Sequence, residues 1–159
     1  MRVCPAFHST MLESTTRHLE ASSGEDVPAR SWERIASAAE AMAARLFPES
    51  RVALRAVSDA EIRSLNRRFR AVDQVTDVLS FPASDLSHAG DVAFSWDTAK
   101  RQAVANGNSP EDEAIALIAH GLLHLAGYEH ETDADDACMH AATLDLLKHA
   151  NVKVTTFGH

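Results

Sequence analysis

The chain has 159 residues, 45% of them hydrophobic and 24% charged, with only 6 Gly and 5 Pro, which is the make-up of one folded domain and excludes a disordered or fibrous protein. Fifteen Lys and Arg against 23 Asp and Glu leave a net charge of -8, which argues against a general nucleic-acid binder but leaves room for a local basic patch. The longest apolar stretch, residues 115–126, is broken by His120 and His124 and is too short to span a bilayer.

Residues 1–27 form a poorly defined N-terminal segment. No unbroken apolar run of a secretory signal follows Arg2, so a cytoplasmic location is expected, and Ser22, Ser23, Gly24, Glu25 and Asp26 read as a loop-like break. Cys4 and Cys138 stand far apart without a C-x-x-C spacing and read as two reduced thiols. Over residues 28–47, Trp32, Ile35, Ala39, Met42 and Leu46 recur at three- and four-residue steps, the period of a helix packed by one face, and Pro48 ends it. Residues 51–57 alternate charged and apolar side chains and predict a strand. Ser58 and Glu61 supply a capping box for a second helix to about Phe69, with Ile62, Leu65 and Phe69 toward the core. Residues 76–81, closed by Pro82, and 91–95, introduced by Gly90, predict two further strands. A helix over 96–106 stops at Gly107, and Ser109, Pro110, Glu111 and Asp112 open another that runs to about Ala126. A last helix from Thr132 to about Lys148 packs through Met139, Leu144 and Leu147. The expected fold is therefore α+β: a single domain with a small mixed sheet of about four strands packed with four or five helices.

Chemistry concentrates on the central helix. His120 and His124 lie four residues apart, so they project from one face about one turn apart, and Gly127 then lets the chain turn and bring His130 toward the same point. Three neutral nitrogens with one open position describe a catalytic rather than a structural zinc, one per chain. The H-x3-H-x5-H spacing shares the frame of the metzincin peptidases, glycine included, but Gly121 stands where those enzymes carry their general-base Glu. Upstream, Arg63, Arg67, Arg68 and Arg70 crowd four guanidinium groups into eight residues at a helix end, with a smaller pair at Lys100 and Arg101. Alone they would be a solvated helix face; beside a Lewis-acid metal they suit a phosphodiester, whose negative charge grows in the transition state. Asp77 and Asp91 read equally as residues that orient a ligating His and as strand-end carboxylates bonding local backbone. Tyr128 and Glu129 either touch substrate or close the turn, and His140 and His149 read as surface or capping residues.

The run LNRRFRAVDQVTDVLSFP (65–82), then Gly90-Asp91-Val92, then HGLLHLAGYEH (120–130) resembles the YbeY family of bacterial rRNA-maturation endoribonucleases, in the same order and at similar separations over about residues 50–148. The resemblance implies a metal-dependent endoribonuclease domain over residues 28–159 with one zinc on His120, His124 and His130. It also implies that Arg70 matches an arginine needed for RNA cleavage. Single-stranded RNA or rRNA and the ribosome or its small subunit are the implied partners, with neither DNA nor a membrane among them. The implied role is 16S rRNA 3′-end maturation and ribosome quality control. Glu129 stands where the family usually has Asp, and Phe69 where it has Tyr. Two other classes remain open: a metzincin-like metallopeptidase with another base, and a non-catalytic ribosome-associated RNA-binding module that keeps the metal for stability.

Overall fold

The computed structural model describes residues 12–15, 18–24 and 26–154, so Cys4 lies outside the described residues, while Cys138 is a free, exposed thiol. Its strands are β1 (Leu12–Thr15), β2 (Leu19–Ser23), β3 (Arg51–Val57), β4 (Val78–Asp85) and β5 (His88–Ser95), in the spatial order β1-β2-β3-β5-β4. β3 is parallel to β2 and to β5, while β1 and β4 close the two edges antiparallel. A central parallel strand is covered on both faces. Val52, Leu54 and Ala56 accordingly join the main core, and Val57 joins a smaller cluster with Ile62 and Leu79 on the other side.

The α+β single-domain expectation holds, but the sheet is one strand wider than about four. Both β1 and β2 arise from the segment that carried no recognisable element. Ser22 and Ser23 end β2 rather than forming a loop-like break; they are 5% and 0% exposed and lie in register with Arg55 and Ala56. Nor does Pro82 close its strand, because β4 runs on to Asp85. An edge strand tolerates a residue with no N–H to give, and the pairing with β5 becomes irregular just beyond it.

Five helices complete the fold: α1 (Ala29–Leu46), α2 (Asp59–Arg70), α3 (Trp96–Asn106), α4 (Pro110–Leu125) and α5 (Asp133–His149). α4 touches α1, α3, α5, β4 and β5, and it is buried almost all round, as its near-continuous apolar sequence requires. α2 packs against β4 and β5 on the opposite face of the sheet. Ser58 caps α2 by accepting from the Glu61 amide at 3.1 Å, but the Glu61 carboxylate turns to Arg55, also at 3.1 Å, so only half of the expected capping box forms. Two core assignments are corrected. Phe69 is 51% exposed although Ile62 is buried, and Leu144 on α5 faces solvent while Leu146 packs inside with Met139 and Leu147. Among the described residues no helix is long and apolar enough to cross a membrane.

Helix α4 approaches the sheet closely at Gly121. A β-carbon there would stand 2.8 Å from Val92 Cγ1, 3.0 Å from Val78 Cγ2 and 3.2 Å from Ser80 Oγ. The absence of a side chain lets the Ser80 hydroxyl donate to the Gly121 carbonyl at 2.7 Å. Gly121→Ala should gain about 1 kcal/mol of helix propensity and lose about 1–3 kcal/mol to overpacking. A net loss of stability is expected in urea unfolding, with a larger loss for Gly121→Glu, which also drives a charge toward the sheet; an unchanged midpoint in both variants would refute this account of the packing.

Candidate metal centre

Ser109 accepts from the Asp112 amide at 3.1 Å and Pro110 occupies the first turn, which fixes the start of α4 and so the direction in which its last turn projects. That turn carries His120 and His124, both half-buried. Gly127, at φ 99°, then reverses the chain in a conformation that side chains resist, and the Tyr128 amide closes the turn on the Leu123 carbonyl at 3.0 Å. Three residues later His130 reaches back to the helix. Its Nε2 lies 3.3 Å from that of His120, which is itself 3.0 Å from Nε2 of His124, and one donor nitrogen of each residue falls within 4.8 Å of the others.

Nitrogens bound at about 2.0–2.1 Å in a tetrahedral shell stand roughly 3.3–3.4 Å apart, so this donor set suits a small borderline cation such as zinc. The tautomer of His130 agrees. Asp136, in the first turn of α5, accepts from His130 Nδ1 at 2.8 Å, which leaves the lone pair of Nε2 pointing at the other two rings. Burial, and after it the neighbouring His130, hold the His124 pKa below the ordinary imidazole value, which favours the neutral form a metal needs. Asp136 was not singled out in the sequence; its only signal is a place six residues after His130, in a helix opened by the Thr132–Asp135 capping box. If the triad holds a metal ion, Asp136→Asn should weaken its binding about 10- to 100-fold, measured by chelator competition, while folding is kept; an unchanged affinity would show that the contact is incidental.

The triad lies in an open cleft of about 1000 Å³ that Glu129 and Asp136 share with it, and Arg70, Asp77 and Ser80 line the same space. Arg70 is the last residue of α2. Ala71 follows in the left-handed conformation at φ 59° and turns the chain away, and Arg70 Nη2 donates to the Ser80 carbonyl at 2.6 Å. Among the described residues no other member of the cationic cluster lines the cleft. Arg63 is paired with Asp73 at 2.8 Å, Arg101 with Asp59 at 2.9 Å, Lys100 lies over the Trp96 ring, and Arg67 and Arg68 are exposed.

Asp77 lines the cleft while one of its oxygens accepts from the adjacent Val78 amide at 2.8 Å, so the local-backbone reading accounts for that contact. Asp91 is fully buried and meets His88 Nε2 at 2.6 Å. It alternates with Val92, the residue beneath Gly121, and therefore faces the other side of the sheet. Glu129 is at the cleft, whereas Tyr128 packs against the core. His149 bonds the Asp145 carbonyl at 3.1 Å near the end of α5, as a capping residue does, and His140 is exposed on the same helix.

The fold is an α+β domain whose cleft, lined by Arg70, gathers three imidazoles that could hold a metal ion. Residues 18–151 match the family described as endoribonuclease YbeY, and the chain belongs to that family. It is 48% identical over 103 residues to the endoribonuclease YbeY of Myxococcus xanthus, covering 60% of this chain and 35% of that protein. With the endoribonuclease YbeY of Anaeromyxobacter dehalogenans it shares 42% identity over 125 residues, 76% of this chain and 65% of that protein. The chain thus spans less than two thirds of the length of either relative. The solution structure of TM1509 from Thermotoga maritima superposes with a TM-score of 0.61 at 28% identity, covering 84% of this chain and 87% of that one.

Proposed function

We propose that this protein is a zinc-dependent endoribonuclease that cuts single-stranded RNA, with His120, His124 and His130 as ligands of one zinc ion per chain and Arg70 as a catalytic residue. The observation that carries this reading is the meeting of three Nε2 atoms and the Arg70 guanidinium in one open cleft. Zinc bound to three imidazoles supplies Lewis acidity toward a phosphodiester and keeps one position for substrate. Arg70 has five N–H donors, and the bond to the Ser80 carbonyl fixes its head while others can meet a phosphate oxygen as its charge grows. Asp136 keeps His130 in the ligating tautomer. Asp77, Glu129 and Asp136 put three carboxylates around the same cleft, so entry of a polyanion depends on the opposing cations.

Family membership supports rRNA as the RNA, the small ribosomal subunit as the partner, 16S 3′-end maturation with ribosome quality control as the role, and the cytoplasm as the place. The peptidase reading is disfavoured because position 121, where that mechanism needs a Glu, faces Val92 and Val78 of the sheet with no room for a side chain. A labelled single-stranded RNA, the same sequence as DNA and a mixed peptide library, each incubated with the zinc-loaded protein, test the proposal. RNA alone should be cut, more slowly as salt rises. Peptide hydrolysis with the RNA left intact would overturn the proposal.

A further inference from the structure

Three large apolar side chains stand exposed at the end of α2 and along the short stretch that joins it to β4: Phe69 (51%), Val72 (42%) and Val75 (44%). An exposed Phe on a chain of net charge -8 calls for a reason, and its neighbours are unusual for this protein. Arg68 lies over the Phe69 ring with its guanidinium carbon 5.2 Å from the centroid, and Phe81 meets the same ring edge-to-face at 5.3 Å. Phe81 also carries the Arg70 guanidinium at 5.9 Å, so the aromatic pair adjoins the cationic group that lines the cleft. Phe81 braces Phe69 from within, and the exposed side of the pair, ring plus guanidinium, faces solvent beside that cleft.

We infer that Arg68 and Phe69 form a stacking platform for one unpaired base of the RNA chain, next to the phosphodiester held in the cleft. This rests on the ribonuclease reading above and adds to it the binding of a flanking nucleotide. Unstacked bases are held on aromatic rings and on guanidinium planes, and such stacking tolerates any base because every base has a π face. The charges suit the same occupant. Arg67 and Arg70 are one turn apart on α2, so a strand whose phosphate lies at Arg70 has a second cation within reach of its backbone, while Phe69 offers the base an apolar face. A double helix keeps its bases stacked on one another and has none to give, so the platform favours single-stranded substrate.

Phe69→Leu keeps apolar bulk against Phe81 but removes the ring face, whereas Phe69→Trp keeps a ring face. Cleavage of a single-stranded RNA carrying 2-aminopurine beside the cut site reports both kinetics and stacking. The leucine variant should raise KM about 5- to 100-fold, hold kcat within about two-fold and lose the quenching of 2-aminopurine on binding, at an unchanged melting temperature. The tryptophan variant should restore KM and quenching. If the unmodified protein cuts this RNA and the leucine variant matches it in KM and quenching, the platform is overturned while the ribonuclease reading stands, and the patch then belongs to a protein contact. If the unmodified protein cuts no RNA, both fall. An equal loss in the leucine and tryptophan variants would mean that Phe69 serves packing alone, and this too overturns the platform.

Discussion

Replacing His120 and His124 together by alanine should reduce bound zinc from about one per chain to near zero and lower RNA cleavage by on the order of 10³-fold or more, because the Lewis acid is worth several kcal/mol to a phosphoryl transition state. Both nitrogens come from a single helical turn whose start is fixed by a Ser–Pro cap, so the variant should lose the metal without losing α4. The zinc-dependent part of the thermal stability should vanish with it, since a ligand bound only to the native state raises the melting temperature by mass action. His149→Ala should leave zinc content and cleavage unchanged, as its ring sits on an exposed position at the end of α5 and bonds the Asp145 carbonyl. Elemental analysis after gel filtration reads the first effect directly. Full metal retention in the double variant would remove the triad as the metal site.

The local signals that build this triad are all carried by neighbouring residues, which is why the sequence displayed them. Ser109 and Pro110 start the helix, the four-residue spacing sets the face, and Gly127 turns the chain, so His120, His124 and His130 could be placed together before any fold was known. What the sequence hid depends on partners far along the chain. β2 is buried through Ser22 and Ser23 because β1 and β3 flank it, and small hydroxyl side chains in such a strand look like a turn when read alone. Phe69 matched the helical period of Ile62 and Leu65, yet α2 reaches its end there and the ring passes the edge of the small core. Asp136 belongs to another helix from the one bearing His120 and His124, and only the turn at 126–132 brings it to His130. The position of Gly121 was legible as a missing base, but its cause was not: the sheet lies against α4 at that residue.

Arg70→Ala should leave zinc content and melting temperature nearly unchanged while lowering kcat on single-stranded RNA by about 10²–10³-fold, the usual effect of removing a fixed donor aimed at developing negative charge. The fold has little at stake in this side chain. Arg70 is exposed at the end of α2, its bond goes to one carbonyl of the edge strand, and losing such a bond costs about 1 kcal/mol. The cleft has more at stake, because among the described residues Arg70 is the arginine that lines it, whereas Arg63 and Arg101 are held by Asp73 and Asp59. Arg70→Lys separates charge from shape. A lysine keeps the positive charge but offers no planar fork, so it should recover part of the binding and little of the rate. Single-turnover cleavage at saturating protein isolates that step, with KM measured separately. If Arg70→Ala raised KM alone and left kcat intact, the guanidinium would be a docking charge for RNA, and the clamp on the transition state would have to come from the metal and its ligands.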